Sequence, residues 1–339
     1  MLVLVCSIVY IVVQLINNKR TVKVANKTKV LVIANNKGGV GKSLICQLVA
    51  TYLAYIKNKK VLALDFDPQG NMSYRFLRDE RVREMSSYRP PLHPEYDAAD
   101  PDDADWNGLS SALDMWTEQP VVPYPTELEN LDVLPSNADL IKAIENFEFS
   151  DSLEGVIHRP YEFFELDEFK ECNYDVVVID TPPAKGPLTQ AAIRAATHVL
   201  IPIELSNKSL QGLAGMMDLI NRQNIHRPLS NQTDVIGLLQ NKLSYNKRGP
   251  QQKVIDTLQQ DPRLASLLLN DIVIHDSPRA IDIDEDQAPI TAPYTELKED
   301  DRFGQEALAL GEFVYEKLGL GRKVKAKNHI KQSELQGEV

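Results

Sequence analysis

The amino-acid sequence predicts an α/β fold with a mostly parallel, doubly wound sheet that carries helices on both faces. Short apolar runs alternate with segments of helical periodicity from residue 29 onwards, which is the order of elements in such sheets. The runs are almost continuously apolar, as in strands that are covered on both faces. A chain of 339 residues with 43% hydrophobic and 25% charged residues can bury an ample core.

The strands are predicted from six short apolar runs that are rich in β-branched side chains. In chain order they are residues 30–34, 61–64, 131–134, 176–179, 199–203 and 235–239, with a weaker run at 272–274. After the first strand, apolar side chains recur at helical spacing from Leu44 to Leu53, so a helix begins near Lys42. The last helical pattern covers residues 307–318. Together these elements define one domain over residues 29–320.

Residues 1–28 form an apolar and then basic segment before this domain. The apolar run over residues 1–16 is shorter than the roughly twenty residues that span a membrane as a helix. No basic region precedes the run and no small-residue cleavage site follows it, which argues against a secretory signal. Three interpretations stay open: a start upstream of the native one, a weak membrane anchor, or a strand packed on the domain.

Residues 78–129 interrupt the α/β pattern. Seven prolines lie in this stretch, and residues 93–105 hold six acidic residues and no Lys or Arg. The composition predicts an acidic surface insertion, more simply a solvated loop than a dedicated binding site. A short helix that packs back on the domain is predicted by four apolar residues at helical spacing, Trp106, Leu109, Leu113 and Trp116. The polar, basic stretch 321–339 predicts a frayed tail.

Charge and cysteine content limit the classes of function. The net charge of −11 argues against a protein that coats itself with nucleic acid, although it is compatible with a local basic patch. The three cysteines lie far apart, without the spacing of metal ligands. This cysteine content is typical of a reducing cytoplasm, where we expect the protein.

Residues 37–43, Lys-Gly-Gly-Val-Gly-Lys-Ser, predict a phosphate-binding loop between the first strand and its helix. Glycines let backbone N–H groups converge on phosphate oxygens, and the start of a helix adds a partial positive charge. In such a loop Lys42 reaches the β- and γ-phosphates and Ser43 places its hydroxyl on Mg²⁺. Asn36 stands where the usual pattern begins with glycine. The predicted nucleotide contacts are Gly38, Gly39, Val40, Gly41, Lys42, Ser43 and Leu44.

Two further motifs place carboxylates where predicted strands end. Asp65 and Asp67 follow the second strand, and Asp180 follows the strand at 176–179. Ligands bind at the carboxyl ends of strands in open α/β sheets. One acid can hold the waters of Mg²⁺ while another orients the attacking water of a phosphoryl transfer. Each acid alone fits a helix cap or a turn, but the three motifs in this order predict a nucleotide–Mg²⁺ site.

These motifs resemble the deviant-Walker P-loop ATPases of the ParA type, which partition plasmids and chromosomes. The resemblance rests on residues 37–43, 65–71 and 180–183, with further likeness at 134–140 and 199–213. It covers about residues 29–319, interrupted by the acidic insertion. It implies a P-loop NTPase fold. The 28 residues before the domain leave no room for the N-terminal helix-turn-helix domain of the larger subtype, so we expect the small subtype without operator binding.

The resemblance implies a role for individual residues. Lys37 resembles the signature lysine that crosses an ATP-sandwich dimer to the partner's nucleotide, where a cation would stabilise charge on the phosphoryl group. Lys42 is the conventional P-loop lysine, and Asp67 resembles the residue that positions the hydrolytic water. Asn241 resembles the position that recognises the adenine edge, although an amide after a strand is also an ordinary turn residue. The residues that serve Mg²⁺ are Ser43, Asp65 and Asp180.

Nonspecific DNA and a stimulating protein are also implied by the resemblance. ParA-type ATP dimers bind DNA without sequence preference, and a ParB-like centromere-binding protein stimulates their hydrolysis. The corresponding basic residues here are Lys247, Arg248 and Arg279, of which the first two lie on a predicted exposed loop. Scattered surface charges are the alternative interpretation. A real DNA patch would lose affinity steeply with salt, because phosphate contacts release counterions.

Alternative functions remain open. A MinD-like positioning ATPase would share the ATP motifs but use a basic amphipathic C-terminal helix at a membrane. Here the last helical pattern carries glutamates at 306, 312 and 316, which favours a packed final helix. A nucleotide-dependent scaffold would not need the three acids, and iron–sulfur reductase relatives would need a cysteine pair. The sequence therefore predicts a weakly hydrolysing, Mg²⁺-dependent cytoplasmic ATPase that is nucleoid-associated when ATP-bound.

Overall fold

The computed structural model describes residues 27–78, 88–100, 106–117, 119–140, 144, 152–225, 227–244, 248–280, 288–296 and 301–321. The predictions for residues 1–26, 322–339 and Lys247 fall outside this part of the chain. The strands are β1 (Lys29–Ile33), β2 (Val61–Asp65), β3 (Tyr124–Pro125), β4 (Leu131–Leu134), β5 (Val176–Asp180), β6 (His198–Ile203), β7 (Asp234–Leu243) and β8 (Leu268–His275). They form one sheet in the order β3-β4-β2-β5-β1-β6-β7-β8.

The strand pairs confirm the predicted parallel sheet. All described pairs run parallel except β3 with β4. The six predicted strands are present, the weaker run lies in β8, and β7 continues four residues beyond its predicted end at residue 239. Asp180 is paired in register with both Ile33 and Asp65. The carboxyl ends of β1, β5 and β2 therefore lie side by side.

Helices cover both faces of this sheet. They are α1 (Lys42–Thr51, continued by a π-helical turn at Tyr52–Ile56), α2 (Asn71–Leu77), α3 (Leu153–Glu165), α4 (Asp167–Glu171), α5 (Pro187–Ala195), α6 (Asn207–Ile225), α7 (Arg248–Gln259), α8 (Pro262–Leu267), α9 (Ala292–Thr295) and α10 (Arg302–Lys317). Alternate residues of β1 enter two separate cores: Val30 and Val32 pack with α3, α5 and α6, whereas Leu31 and Ile33 pack with α1 and α10. The doubly wound fold is thus confirmed.

The described part of the insertion is exposed along its acidic stretch, residues 94–100, as its composition predicts, but much of the rest packs on the domain. Four aromatic side chains are buried, Tyr88, Trp106, Trp116 and Tyr124, and the His93 ring lies 4.5 Å from that of Tyr124 and 5.2 Å from that of Trp106. The Trp116 indole N–H donates to the Val156 carbonyl at 2.9 Å. The predicted helix is a shorter 3₁₀ turn at Ala112–Trp116. Aromatic burial outweighs the acidic composition here, because the insertion covers the edge strand β4 and adds β3 to it.

One contact of the insertion reaches beyond this edge. Tyr88 is 3% exposed, and its ring packs directly on Gly70, where a Cβ would overlap it. Gly70 has a φ of 66°, a left-handed conformation that glycine adopts without strain. It closes the turn between β2 and α2, the turn that carries Asp67.

The final helix packs against the domain, as predicted from the glutamates along it. Phe303, Ala307, Leu310 and Val314 of α10 are buried in the core that also contains α1. The apolar face of α10 is therefore already covered by the protein. Among the described helices, none has the length and hydrophobicity of a membrane span.

Candidate functional site

The loop after β1 has the geometry of an anion-binding turn. Gly39 and Gly41 have φ values of 75° and 80°, which side chains with a Cβ adopt only at a cost. Gly41 is the N-cap of α1 and provides no side-chain cap, so the first N–H groups of the helix are left for a ligand. No acidic residue lies in the first helical turn to compete for them. The loop is thus suited to phosphate.

Asn241, on β7, holds this loop by a hydrogen bond. Its side-chain N–H donates to the Val40 carbonyl at 2.6 Å, and a Cβ on Gly41 would overlap the same amide nitrogen. The residue is 1% exposed and lies within β7, not after the strand as predicted. Its Oδ1 is buried without a hydrogen-bond partner among the described residues. Adenine recognition by Asn241 stays a prediction.

Lys37 is tied to the end of β6 through both its backbone and its side chain. Its N–H donates to Asn35 Oδ1 at 3.0 Å, and the Asn35 amide donates to the Pro202 carbonyl at 2.7 Å. The Lys37 ammonium forms an ion pair with Glu204. Glu204 is not among the residues predicted from the sequence. Its signal was an acid one residue beyond a predicted buried strand, at the ligand-binding edge of the sheet.

Asp180 presents an oxygen that the protein leaves unpaired. The residue is completely buried, and its Oδ1 accepts the Thr181 N–H at 2.9 Å. Its Oδ2 is buried with no hydrogen-bond partner within the described ranges. Burial raises the pKa of Asp180 to about 7, against the lowering effects of the Ser43 hydroxyl and the Lys42 ammonium. Such a carboxylate oxygen fits a site that is completed by a cation or its water.

Lys42 lies among these acids. It is 6% exposed, and burial lowers its pKa while Asp180 and then Asp67 raise it. Asp67 is 7% exposed and accepts the Gln69 N–H at 3.1 Å. Burial raises the pKa of Asp67, and the Gln69 N–H and Lys42 act in the opposite direction. The buried cation therefore compensates two carboxylates next to the loop.

Asp65 is engaged by three donors of the protein. Its Oδ1 accepts the Asp67 N–H at 3.0 Å. Its Oδ2 accepts both the Ser73 N–H at 2.9 Å and the Ser73 hydroxyl at 2.6 Å. Burial and the nearby Asp180 raise the pKa of Asp65, and the two bonds from Ser73 counteract this. The sequence analysis also missed Ser73. Its only signal was a hydroxyl at the start of a helix after the Asp-rich turn.

These residues fit a nucleotide with Mg²⁺. No cluster of three or more His, Cys, Asp or Glu side chains suited to a metal is present within the described part of the chain. Mg²⁺ with a nucleotide needs only one or two protein carboxylates or hydroxyls, because phosphates and waters complete its shell. The Ser43 hydroxyl and the unpaired Asp180 oxygen supply such a set. Leu44, the last predicted loop contact, lies partly buried in the first turn of α1.

The predicted DNA residues do not join this site. Arg279 forms an ion pair with Asp301 and donates to the Glu296 carbonyl at 2.8 Å. Asp301 has a side chain that is only 5% exposed, so Arg279 belongs to the internal packing of α10. Arg248 begins α7, instead of lying on a loop. Of the three predicted positions, Arg279 is thus the one for which the structure provides an internal role.

The chain is similar to one family of domains and to several known proteins. The AAA domain family matches residues 28–234. The sporulation initiation inhibitor protein Soj of Bacillus subtilis is 31% identical over 192 residues, and the chromosome partitioning protein ParA of Caulobacter vibrioides is 33% identical over 202 residues. These matches cover 57% and 58% of this chain, and 64% of the length of each relative.

Solved structures share the fold. A McdA variant from Cyanothece in complex with ATP superposes with a TM-score of 0.62 at 19% identity, covering 88% of this chain and 100% of that one. A putative plasmid partition protein of Borrelia burgdorferi bound to AMPPNP superposes with a TM-score of 0.60 at 18% identity, covering 86% and 100%.

Proposed function

Since this chain belongs to the AAA domain family and is of the ParA type of P-loop ATPases, we propose that it hydrolyses ATP slowly to partition a plasmid or chromosome. The observation that supports this most is a deviant P-loop whose Lys42 lies near two buried acids, Asp67 and Asp180, at one edge of the sheet. The same loop carries Lys37, which pairs with Glu204. A non-catalytic scaffold would have no need of that combination.

Binding of ATP is the first step of the proposal. The N–H groups of the loop and of the first turn of α1 would take the phosphates, with Lys42 as their counter-charge. Lys42 is positioned for this because burial among acids lets it exchange a carboxylate partner for a phosphate. Asn241 would keep the loop in its phosphate-binding shape through its bond to Val40. Its buried Oδ1 is the group available for an adenine amino group.

Mg²⁺ would neutralise phosphate charge when it is bound with the nucleotide. Ser43 would contribute its hydroxyl to the metal, and Asp180 would hold the metal's water through the oxygen that has no protein partner. Asp67 would orient the attacking water, since its carboxylate lies next to Lys42 and the phosphate loop. These roles need no movement of the buried strands.

Lys37 is the residue that we propose to couple hydrolysis to dimerisation. In the isolated chain its ammonium is bound by Glu204 of the same subunit. Contact with the nucleotide of a second subunit would require this ion pair to open and Lys37 to take phosphate as its new partner. Both side chains of the pair are 29% exposed, so the exchange would not have to expose a buried charge.

The test is nucleotide-dependent dimerisation together with ATP turnover. With ATP and Mg²⁺ the chain should sediment as a dimer, and with ADP as a monomer. Lys37→Ala should abolish the dimer and reduce turnover to background, because the transition-state charge loses its partner. Lys59→Ala, at a partly exposed lysine outside the loop, is the control. A Lys37→Ala protein that dimerises and hydrolyses ATP normally would exclude this mechanism.

DNA and a partner protein complete the proposal. The ATP dimer would bind nonspecific DNA through Lys247 and Arg248, and a ParB-like centromere-binding protein would stimulate hydrolysis and release. Gel shifts with ATP and with ADP across a salt series test this. The Lys247→Glu/Arg248→Glu variant should lose binding, and wild-type binding should weaken steeply with salt. Binding that ignores the nucleotide, or capture by liposomes instead of DNA, would favour a membrane or scaffold function.

A further inference from the structure

We infer that Ser73 and Asp65 are positioning residues for the turn that carries Asp67, and that Asp65 is not a ligand of Mg²⁺ or its waters. This inference rests on the proposed function, because it assigns roles within the same ATP site. It departs from the sequence analysis, which grouped Asp65 with the metal residues.

The carboxylate of Asp65 is occupied by the protein itself. A carboxylate has about four acceptor positions, and three of those on Asp65 are filled by the Asp67 N–H, the Ser73 N–H and the Ser73 hydroxyl. The residue is completely buried. Its Oδ2 accepts two of these hydrogen bonds and its Oδ1 the third, so one acceptor position at most is left for a metal-bound water. Asp65 therefore acts as an anchor for the chain around it.

The Ser73 hydroxyl joins two segments of the chain. The Ser136 N–H, just beyond β4, donates to the Ser73 hydroxyl oxygen at 2.9 Å. The Ser73 hydroxyl donates in turn to Asp65 at 2.6 Å, because an ionised carboxylate can only accept. Ser73 and Ser136 are both fully buried. The result is a relay from the end of β4, through α2, to the end of β2.

The relay ends on the backbone of Asp67. Asp65 holds the Asp67 N–H, the Asp67 carbonyl accepts the Gly70 N–H at 2.8 Å, and the Asp67 carboxylate accepts the Gln69 N–H. The turn thus sets the direction of the Asp67 side chain. Asp65, at the start of this turn, is held in place by its two hydrogen bonds from Ser73. A loosened turn would misplace the water-orienting carboxylate while leaving the phosphate loop intact.

Asp180 provides the contrast within the same site. Its Oδ2 has no protein donor among the described residues, whereas both oxygens of Asp65 are engaged. The two buried acids, paired in register on adjacent strands, therefore divide the work. The unpartnered oxygen of Asp180 would serve the metal, whereas the oxygens of Asp65 hold the Asp67 N–H and Ser73.

The kinetic test compares three variants at saturating Mg²⁺. Ser73→Ala should lower kcat about tenfold or more and leave KM for ATP within about twofold, as expected for a supporting residue. Ser73→Thr, which keeps the hydroxyl, should recover most of kcat. Ser136→Ala is the matched control, since it removes a buried hydroxyl that has no partner in the described chain and keeps the N–H. Equal kcat in Ser73→Ala and Ser136→Ala would overturn the inference.

The second test needs no ATP turnover. In the nucleotide-free protein Asp65→Asn should lower the unfolding midpoint, because its amide N–H group faces two donors of Ser73. Asp180→Asn should leave the midpoint unchanged or raise it, because the buried Oδ2 of Asp180 has no hydrogen bond within the described chain to lose. With a fluorescent ADP analogue, only Asp180→Asn should raise the Mg²⁺ concentration needed for half-maximal binding, by about tenfold.

These readouts separate the two proposals. If Asp65→Asn shifts the Mg²⁺ requirement as much as Asp180→Asn, Asp65 serves the metal and the inference is wrong. If wild-type protein binds no nucleotide, the proposed ATPase function fails, while the difference between the two unfolding shifts still tests the positioning role.

Discussion

Gly41→Ala probes the contact between the phosphate loop and β7. Alanine at a φ of 80° costs about 1–2 kcal/mol in the left-handed region. The new Cβ would overlap the Asn241 amide and displace it from the Val40 carbonyl, which costs about 1 kcal/mol for a lost hydrogen bond. We therefore expect the free energy of unfolding to fall by about 2–3 kcal/mol, measured by urea denaturation without nucleotide.

Gly39→Ala is the matched control for this substitution. Gly39 has a similar φ of 75°, but a Cβ there meets no atom within 4 Å. Gly39→Ala should therefore lower the free energy of unfolding only by the cost of the left-handed conformation, about 1–2 kcal/mol. Any gain from a stiffer unfolded chain is the same in both variants. The difference between the two variants measures the Asn241 contact.

A double variant tests whether the extra cost of Gly41→Ala comes from Asn241. Asn241→Ala removes the overlapping group, so Gly41→Ala should cost about 1 kcal/mol less in that background than in the wild type. If Gly41→Ala and Gly39→Ala are equally destabilising, or if the cost of Gly41→Ala does not change without Asn241, the loop is not held from β7 and the reasoning is refuted.

Two further outcomes concern pH and the basic residues. Burial lowers the pKa of His198 from 6.5 to about 4, so the unfolded chain binds more protons between these values and the free energy of unfolding falls as pH drops from 6.5 to 4. His198→Gln should flatten this decline by about 1–2 kcal/mol in urea titrations, the shift discounted for partial exposure; an unchanged pH profile would contradict it. Arg279→Ala should lower the free energy of unfolding by roughly 1.5–3 kcal/mol without DNA, because it leaves Asp301 unpaired. Arg263→Ala, at a side chain that is 86% exposed, should change it by less than about 0.5 kcal/mol, and equal effects would mean that Arg279 has no internal role.

The sequence predicted the sheet, and the edge at which the candidate site residues meet, because both depend on local patterns. Continuous apolar runs specify buried parallel strands, and residues at their ends must meet at one edge. The proximity of Asp65, Asp67 and Asp180 to the phosphate loop follows from this rule alone. The strand order confirmed it by pairing Asp180 with both neighbours.

Pairing between distant segments could not be predicted. Glu204 is 167 residues from Lys37 and Ser136 is 63 residues from Ser73. Neither contact has a local signature, because each depends on how two chain segments approach in three dimensions. The packing of the insertion's aromatic part was missed for a similar reason. Its acids are prominent in the sequence, but the aromatic side chains that decide its burial meet only after folding.

The ring of Tyr88 on Gly70 makes the insertion and the Asp67 turn one mechanical unit. Movement of Gly70 towards the insertion would meet a ring that is 3% exposed. A molecule that binds the insertion more tightly in one position of Tyr88 would therefore favour the shape of the turn that goes with that position. Reciprocally, a ligand at the turn would change affinity at the insertion's surface, which links a segment outside the phosphate-loop motifs to the proposed ATP site.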